Sequence, residues 1–150
     1  MKPLVIYHTN CVDGFGAAFA AWLKLGYEAE YMPMQYGEEA PAMEEVQDRE
    51  VYILDFSFSR EVMDMIFEQA KRVVWLDHHK TAFEMWCKTE RIRRDESWEP
   101  DDGLPYGESM RRIILDANKS GAMLAWEHFH PNTEVPMLIK HNDWYNRWLK

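Results

Sequence analysis

Four short apolar runs in this chain each end in residues able to bind a metal. "VVWLDHHKTA" (73–82) finishes in Asp77, His78 and His79. "PLVIYH" (3–8) ends at His8 and leads into "TNCVDG", which carries Asn10, Cys11 and Asp13; "VYILD" ends at Asp55 and "RIILD" at Asp116. Taken singly, an acid after a strand commonly caps the next helix, and a lone histidine there is commonly a hydrogen-bonded surface residue. Taken together, carboxylates converging on one edge repel one another, and a cation is the usual remedy. Oxygen donors mixed with imidazoles suit Mn²⁺, Fe²⁺ or Zn²⁺ better than Ca²⁺. The chemistry expected is a metal centre with more than one ion.

Such convergence requires strands whose carboxyl ends lie side by side. Strands are expected at 3–8, 28–34, 51–56, 72–77 and 112–116, from their β-branched and aromatic content. Helices are expected at 14–26, 59–72, 80–88 and 120–129, with Phe15, Phe19, Trp22 and Leu23 at helical spacing in the first, and Val62, Met65, Ile66 and Ala70 in the second. Met137, His141, Trp144, Tyr145 and Trp148 form a last amphipathic stripe, expected to face the core, with a homodimer covering it as the other reading. Alternating strands and helices predict an α/β domain with an open, mostly parallel sheet flanked by helices. In such sheets ligands bind beyond the carboxyl ends of the strands, where the acids and histidines collect. The polar stretch 89–109 is long for a connector and reads as a lid or an insertion within a single domain, 1–150.

Composition narrows the function. A chain of 150 residues, 47% of them apolar, suffices for one domain with a real core. No apolar run approaches the length of a bilayer span or a secretory signal. Two cysteines, Cys11 and Cys87, make no disulfide framework, so a reducing cytoplasm is expected. A net charge of −9 disfavours a grip on long duplex DNA.

The motifs also carry a resemblance. "YHTNCVDGFGAA", "ILDFS", "LDHHKT", "SGAMLAW" and "IKHNDWYNRW" occur in that order, and together resemble the landmarks of the DHH phosphoesterase superfamily over roughly residues 5–148. The resemblance implies two Mn²⁺ ions, with Mg²⁺, Co²⁺ or Zn²⁺ as alternatives, and hydrolysis of phosphoester or phosphoanhydride bonds. Carried over motif by motif, it implies His8, Asp13, Asp55, His78 and Asp143 as metal ligands, with Asp55 bridging. His79 would face the substrate phosphate and Asp77 would support the site. Cys11 stands where many relatives have a further acid; a small packed side chain is the favoured reading, and a thiolate ligand the other. Relatives usually continue into a second, substrate-binding domain, so the chain reads as a minimal member or a catalytic fragment.

Mechanistically, Asp55 and His79 are the expected catalytic pair. Asn10 and the backbone amides at Ser120 and Gly121 are candidate phosphate contacts, since a helix N-terminus attracts anions. Asp116 competes with Asp143 for the fourth acidic role, but helix capping accounts for it fully. A small phosphorylated substrate is expected, with short oligonucleotides or nucleotide second messengers ahead of pyrophosphate or polyphosphate. The competing reading is a domain that binds metal and nucleotide without turnover.

Overall fold

The computed structural model describes residues 1–86 and 110–148. Five strands, β1 (Leu4–His8), β2 (Glu30–Met34), β3 (Glu50–Leu54), β4 (Arg72–Asp77) and β5 (Met110–Leu115), form one sheet in the order β2-β1-β3-β4-β5, all parallel. Helices α1 (Val12–Leu25), α2 (Met43–Val46), α3 (Arg60–Gln69), α4 (Lys80–Trp86), α5 (Gly121–Phe129) and α6 (Met137–Trp148) cover it, with a 3₁₀ turn at Gly26–Glu28. The open parallel α/β sheet expected from the alternating pattern is therefore present. The stretch 89–109, read as a lid or insertion, lies outside the described residues, as does Cys87. No helix among the described residues is long and apolar enough to cross a membrane.

Each strand divides its side chains between two cores, because successive residues point to opposite faces. Leu4, Ile6, Val51, Ile53, Val73, Trp75, Ile113 and Leu115 face α2, α3 and α4. Val5, Tyr52, Leu54, Val74 and Leu76 face α1, α5 and α6. A sheet buried on both faces explains why its strands read as continuous apolar runs rather than alternating ones. On the first side, α3 contributes Met63, Ile66 and Phe67. That face is rotated from the expected one: Ile66 and Ala70 are buried, but Val62 and Met65 are only partly so.

Two helices turn their small or polar residues inward, against expectation. In α1 the buried positions are Asp13, Gly14, Gly16, Ala17, Ala20 and Ala21, while Phe15, Trp22 and Leu23 are exposed and Phe19 is partly buried. The reason is close helix packing: a Cβ on Gly16 would lie 2.9 Å from the Cβ of Ala122 in α5, leaving no room for a large side chain. In α6 the buried residues are Ile139 and Asp143. Met137, His141, Trp144, Tyr145 and Trp148, expected in the core, are exposed instead.

Strand order places the site. The chain runs outward from β1 to β2 and then crosses back to β3, so the order reverses between β1 and β3. Crevices at such reversals are where open α/β sheets bind ligands. His8 and Asp55 leave the sheet on either side of this one, with Asp77 on the next strand.

Candidate metal centre

The β4–α4 turn is organised by Asp77, which is fully buried. Its Oδ1 accepts from the backbone N–H groups of His78 (2.8 Å) and His79 (3.3 Å) and from His79 Nδ1 (2.6 Å). Its Oδ2 accepts from the Ser57 hydroxyl, which in turn accepts from the Trp75 indole N–H at 3.2 Å. Burial favours the neutral acid, but His79 and Ser57 outweigh it and hold the Asp77 carboxyl below its ordinary range. With Nδ1 committed to Asp77, the Nε2 edge of His79 is turned toward Asp55, 3.9 Å from its Oδ1. Burial lowers the His79 pKa, yet the bond to Asp77 prevails and the net shift is upward.

Asp55 stands at the centre. It directly follows β3, its N–H donates to Leu76 O at 2.9 Å, and its φ of 55° lies in the left-handed region, uncommon for a residue with a Cβ. The side chain is 0% exposed. Oδ1 accepts from His78 Nε2 at 2.9 Å; among the described residues Oδ2 has only the Cys11 thiol at 3.9 Å and His8 Nδ1 at 3.7 Å. Burial, partly countered by His78, pushes its carboxyl up to about 6. His8 Nδ1 is buried without a hydrogen-bond partner. Burial and the neighbouring His79 also push the His8 pKa down, which leaves the ring neutral, the form that ligates metals.

Two donor sets therefore meet at one carboxylate. Ligand atoms of Asp55, Asp77, His78 and His79 lie within 4.8 Å of one another, and so do those of His8, Cys11 and Asp55. An under-coordinated buried carboxylate beside an unpartnered imidazole nitrogen suits a cation, and the mixed oxygen, nitrogen and sulfur donors suit a transition metal. The donor chemistry fits the metal that the motifs imply. Cys11, expected as a small packed side chain, instead turns its thiol toward the shared carboxylate.

Asp13 joins this cluster through His78 and ties it to the helices. A carboxylate has about four acceptor positions, and the contacts of Asp13 fill them: Gly121 N (3.0 Å), Ala122 N (2.8 Å), Asn142 Nδ2 (2.7 Å) and His78 Nε2 (2.9 Å). Burial disfavours its charge, but His78 and the α5 amides hold its carboxyl well below the usual range. Facing two carboxylates, His78 Nε2 carries a proton; burial opposes this, yet Asp13 and Asp55 raise the His78 pKa to about 9. A metal bound by His78 must displace that proton.

The remaining expected residues fall elsewhere. Asp143 does not reach the cluster: its Oδ1 accepts from Ser120 N at 2.8 Å and its Oδ2 pairs with Arg147 at 2.8 Å. Asp116 folds back on Asn118 N at 2.9 Å, the local turn that accounts for it. The expectation that Ser120 and Gly121 offer amides to a phosphate is corrected. The Ser120, Gly121, Ala122 and Met123 N–H groups are taken by Asp143, Asp13, Asp13 again and the Ser120 hydroxyl. The α5 N-terminus attracts anions as expected, but the anions are the chain's own carboxylates. Asn10 is exposed in the β1–α1 turn at φ 54°.

Three contributors escaped sequence reasoning. Ser57 and Asn142 are ordinary polar residues whose partners, Asp77 and Asp13, are 20 and 129 positions away. Tyr36 follows β2 and stacks on Phe56 (centroids 4.4 Å apart), with edge contacts to His8 (5.4 Å) and His79 (6.2 Å). Burial, with the charges of Asp77 and Asp55 adding, pushes its phenol above the ordinary value, so it remains protonated. The only available signal was its place after a strand on the carboxyl edge.

No protein-family model matches the sequence. An uncharacterized protein of Acanthamoeba polyphaga mimivirus is 26% identical over 151 residues, an alignment that takes in 92% of this chain and 31% of that protein. The chain thus spans about a third of the length of the curated relative it matches.

Proposed function

We propose that this chain is a metal-dependent phosphohydrolase of the DHH type, cleaving phosphoester bonds of a small phosphorylated substrate such as a short oligonucleotide or a nucleotide second messenger. The observation that carries the reading is Asp55, fully buried, short of hydrogen-bond partners and shared by two donor sets. His8, Cys11 and Asp55 would hold one ion; Asp55, His78, His79 and Asp77 would surround a second. Mn²⁺ ions bound there would supply an activated water and offset phosphoryl charge.

The chain's own residues do the rest. Hydrolysis forms a bond from the water oxygen to phosphorus and breaks the bond to the ester oxygen, which leaves with a proton. His79, held through Nδ1 by Asp77, presents Nε2 to hydrogen-bond a phosphoryl oxygen or to pass that proton. Tyr36 and Phe56 stack on each other beside the imidazoles of His8 and His79.

A second reading, metal binding without turnover, draws on Cys11, because a thiol ligand suits a tightly held Zn²⁺ ion. The test is hydrolysis of bis-p-nitrophenyl phosphate and short oligonucleotides with added Mn²⁺, comparing wild type with Asp55→Ala. Activity that needs Mn²⁺ and vanishes in the variant is expected. Bound metal with no turnover of any substrate would favour the binding module.

A further inference from the structure

Helix α1 starts on a residue that does not cap it. Cys11 is the N-cap, in extended geometry (φ −139°, ψ 130°), and its side chain makes no capping hydrogen bond. Ser, Thr, Asp or Asn at that position would accept from the first free N–H groups of this 14-residue helix. The sulfur is turned instead toward Asp55, 3.9 Å from Oδ2. Two further features aim at the same spot. Asp55 is 0% exposed, and among the described residues that oxygen meets only the thiol and His8. His8 Nδ1 is buried with no hydrogen-bond partner, 3.7 Å from the same oxygen. A nitrogen from the end of β1, a sulfur from the start of α1 and an oxygen from just beyond β3 thus lie within 4.8 Å of one another.

We infer that Cys11 is a metal ligand that makes the two metal positions unlike: the His8–Cys11–Asp55 position selects Zn²⁺, and the sulfur-free position on the other side of Asp55 takes Mn²⁺. The inference rests on the metal-centre part of the proposed function and refines it. Thiolate ligands favour Zn²⁺, whereas carboxylate and water suit Mn²⁺. Three protein ligands with a fourth place open is how catalytic zinc is held, and a thiolate with a carboxylate would balance the two charges of the ion. A sulfur bound in this way would carry its charge at the positive end of α1. The second set, Asp55, Asp77, His78 and His79, offers oxygen and imidazole nitrogen alone. Folding by itself gives no reason for sulfur here, since serine would fill a similar space and cap the helix as well.

The experiment strips the reduced protein with a chelator and titrates it with Co²⁺, Zn²⁺ and Mn²⁺. Bound Co²⁺ is expected to give a thiolate-to-metal charge-transfer band in the near ultraviolet, absent in Cys11→Ser and kept in Cys87→Ser, which removes the other cysteine. Nitrogen and oxygen sites already prefer Zn²⁺ to Mn²⁺, so the deciding quantity is the ratio of the two affinities in competition. That ratio is expected to fall at least tenfold in Cys11→Ser and further in Cys11→Asp. Serine can cap α1, so metal-free Cys11→Ser is expected to melt no lower than wild type, which separates lost ligation from lost fold. A Co²⁺ complex without the band, or equal ratios in wild type and Cys11→Ser, overturns the inference; Mn²⁺-dependent hydrolysis alongside either result leaves the hydrolase reading standing. The band, with no hydrolysis of any substrate under Zn²⁺ plus Mn²⁺, supports the ligand and sinks the hydrolase. No uptake of any of the three ions overturns both.

Discussion

At the scale of single residues, the buried aspartates are not equivalent. Asp13 is saturated with donors, Asp55 is starved of them, and this difference predicts opposite outcomes. Asp13→Ala leaves three N–H donors without their acceptor in a buried site and takes one of two carboxylates from His78, which keeps Asp55. We expect a loss of about 3–5 kcal/mol, the range for breaking a buried charged pair, read as a lowered denaturant midpoint. Asp55→Asn removes a charge that burial already disfavours, so stability should hold or rise while Mn²⁺ affinity collapses. An Asp55→Asn protein that still binds Mn²⁺ normally would exclude Asp55 as a ligand.

His128, remote from the site, gives a pH signature. Burial, reinforced by Arg112 and Arg72, pushes its pKa from 6.5 down to about 4. Between those values the unfolded chain binds more protons than the folded one, so this contribution is fully present above pH 6.5 and lost as pH falls toward 4. Replacing it by Gln should flatten that part of the acid limb. Stability–pH curves of equal slope in the two proteins would disprove the assignment.

At the scale of elements, two glycines set how closely helices approach the strand ends. A Cβ on Gly14 would sit 1.9 Å from the backbone oxygen of His8, and one on Gly121 would sit 2.6 Å from the Asp55 carboxylate. The first contact is with rigid backbone, so Gly14→Ala should cost about 3 kcal/mol, the upper range for overpacking. The second meets the Asp55 Cβ, which is fixed to the backbone, at 2.6 Å as well as the carboxylate oxygen, so Gly121→Ala should lower stability and Mn²⁺ binding together. The two are separated by comparing melting temperature with metal affinity in each variant. The outward face of α6 makes a third test: Trp144→Ser should change stability by no more than about 0.5 kcal/mol, as exposed substitutions do. A loss of ~3–5 kcal/mol, as for a buried tryptophan, would return that stripe to the core.

At the scale of the whole molecule, metal binding and folding are linked. The donor set is assembled from β1, β3, β4 and the turns after them, so it exists only when the sheet is formed. Mn²⁺ at a hundredfold excess over Kd should add ~2.7 kcal/mol, which raises Tm by about 5–10 °C for a chain of this size. Asp55→Ala should abolish the rise and a chelator should reverse it. A Tm indifferent to Mn²⁺ would remove the metal reading.

The sheet and most of its helices were legible in the sequence because apolar runs and helical periodicity are local properties, and each strand was placed within a few residues. The convergence of His8, Asp13, Asp55, Asp77, His78 and His79 was legible for a related reason: parallel strands must deliver their carboxyl ends to one edge. Missed were the short α2, with a single buried residue, Val46, and the faces of α1 and α6. There, size misled: large apolar side chains stay outside where a Gly–Ala contact draws two helices together. The division of labour among the acids was likewise decided only by tertiary structure. Asp143 and Asp55 each sit beside an aromatic residue in the chain, but one meets a helix N-terminus and an arginine, while the other meets imidazoles and a thiol. Residue type determined which chemistry was available to this chain; packing determined which side chains were left free to perform it.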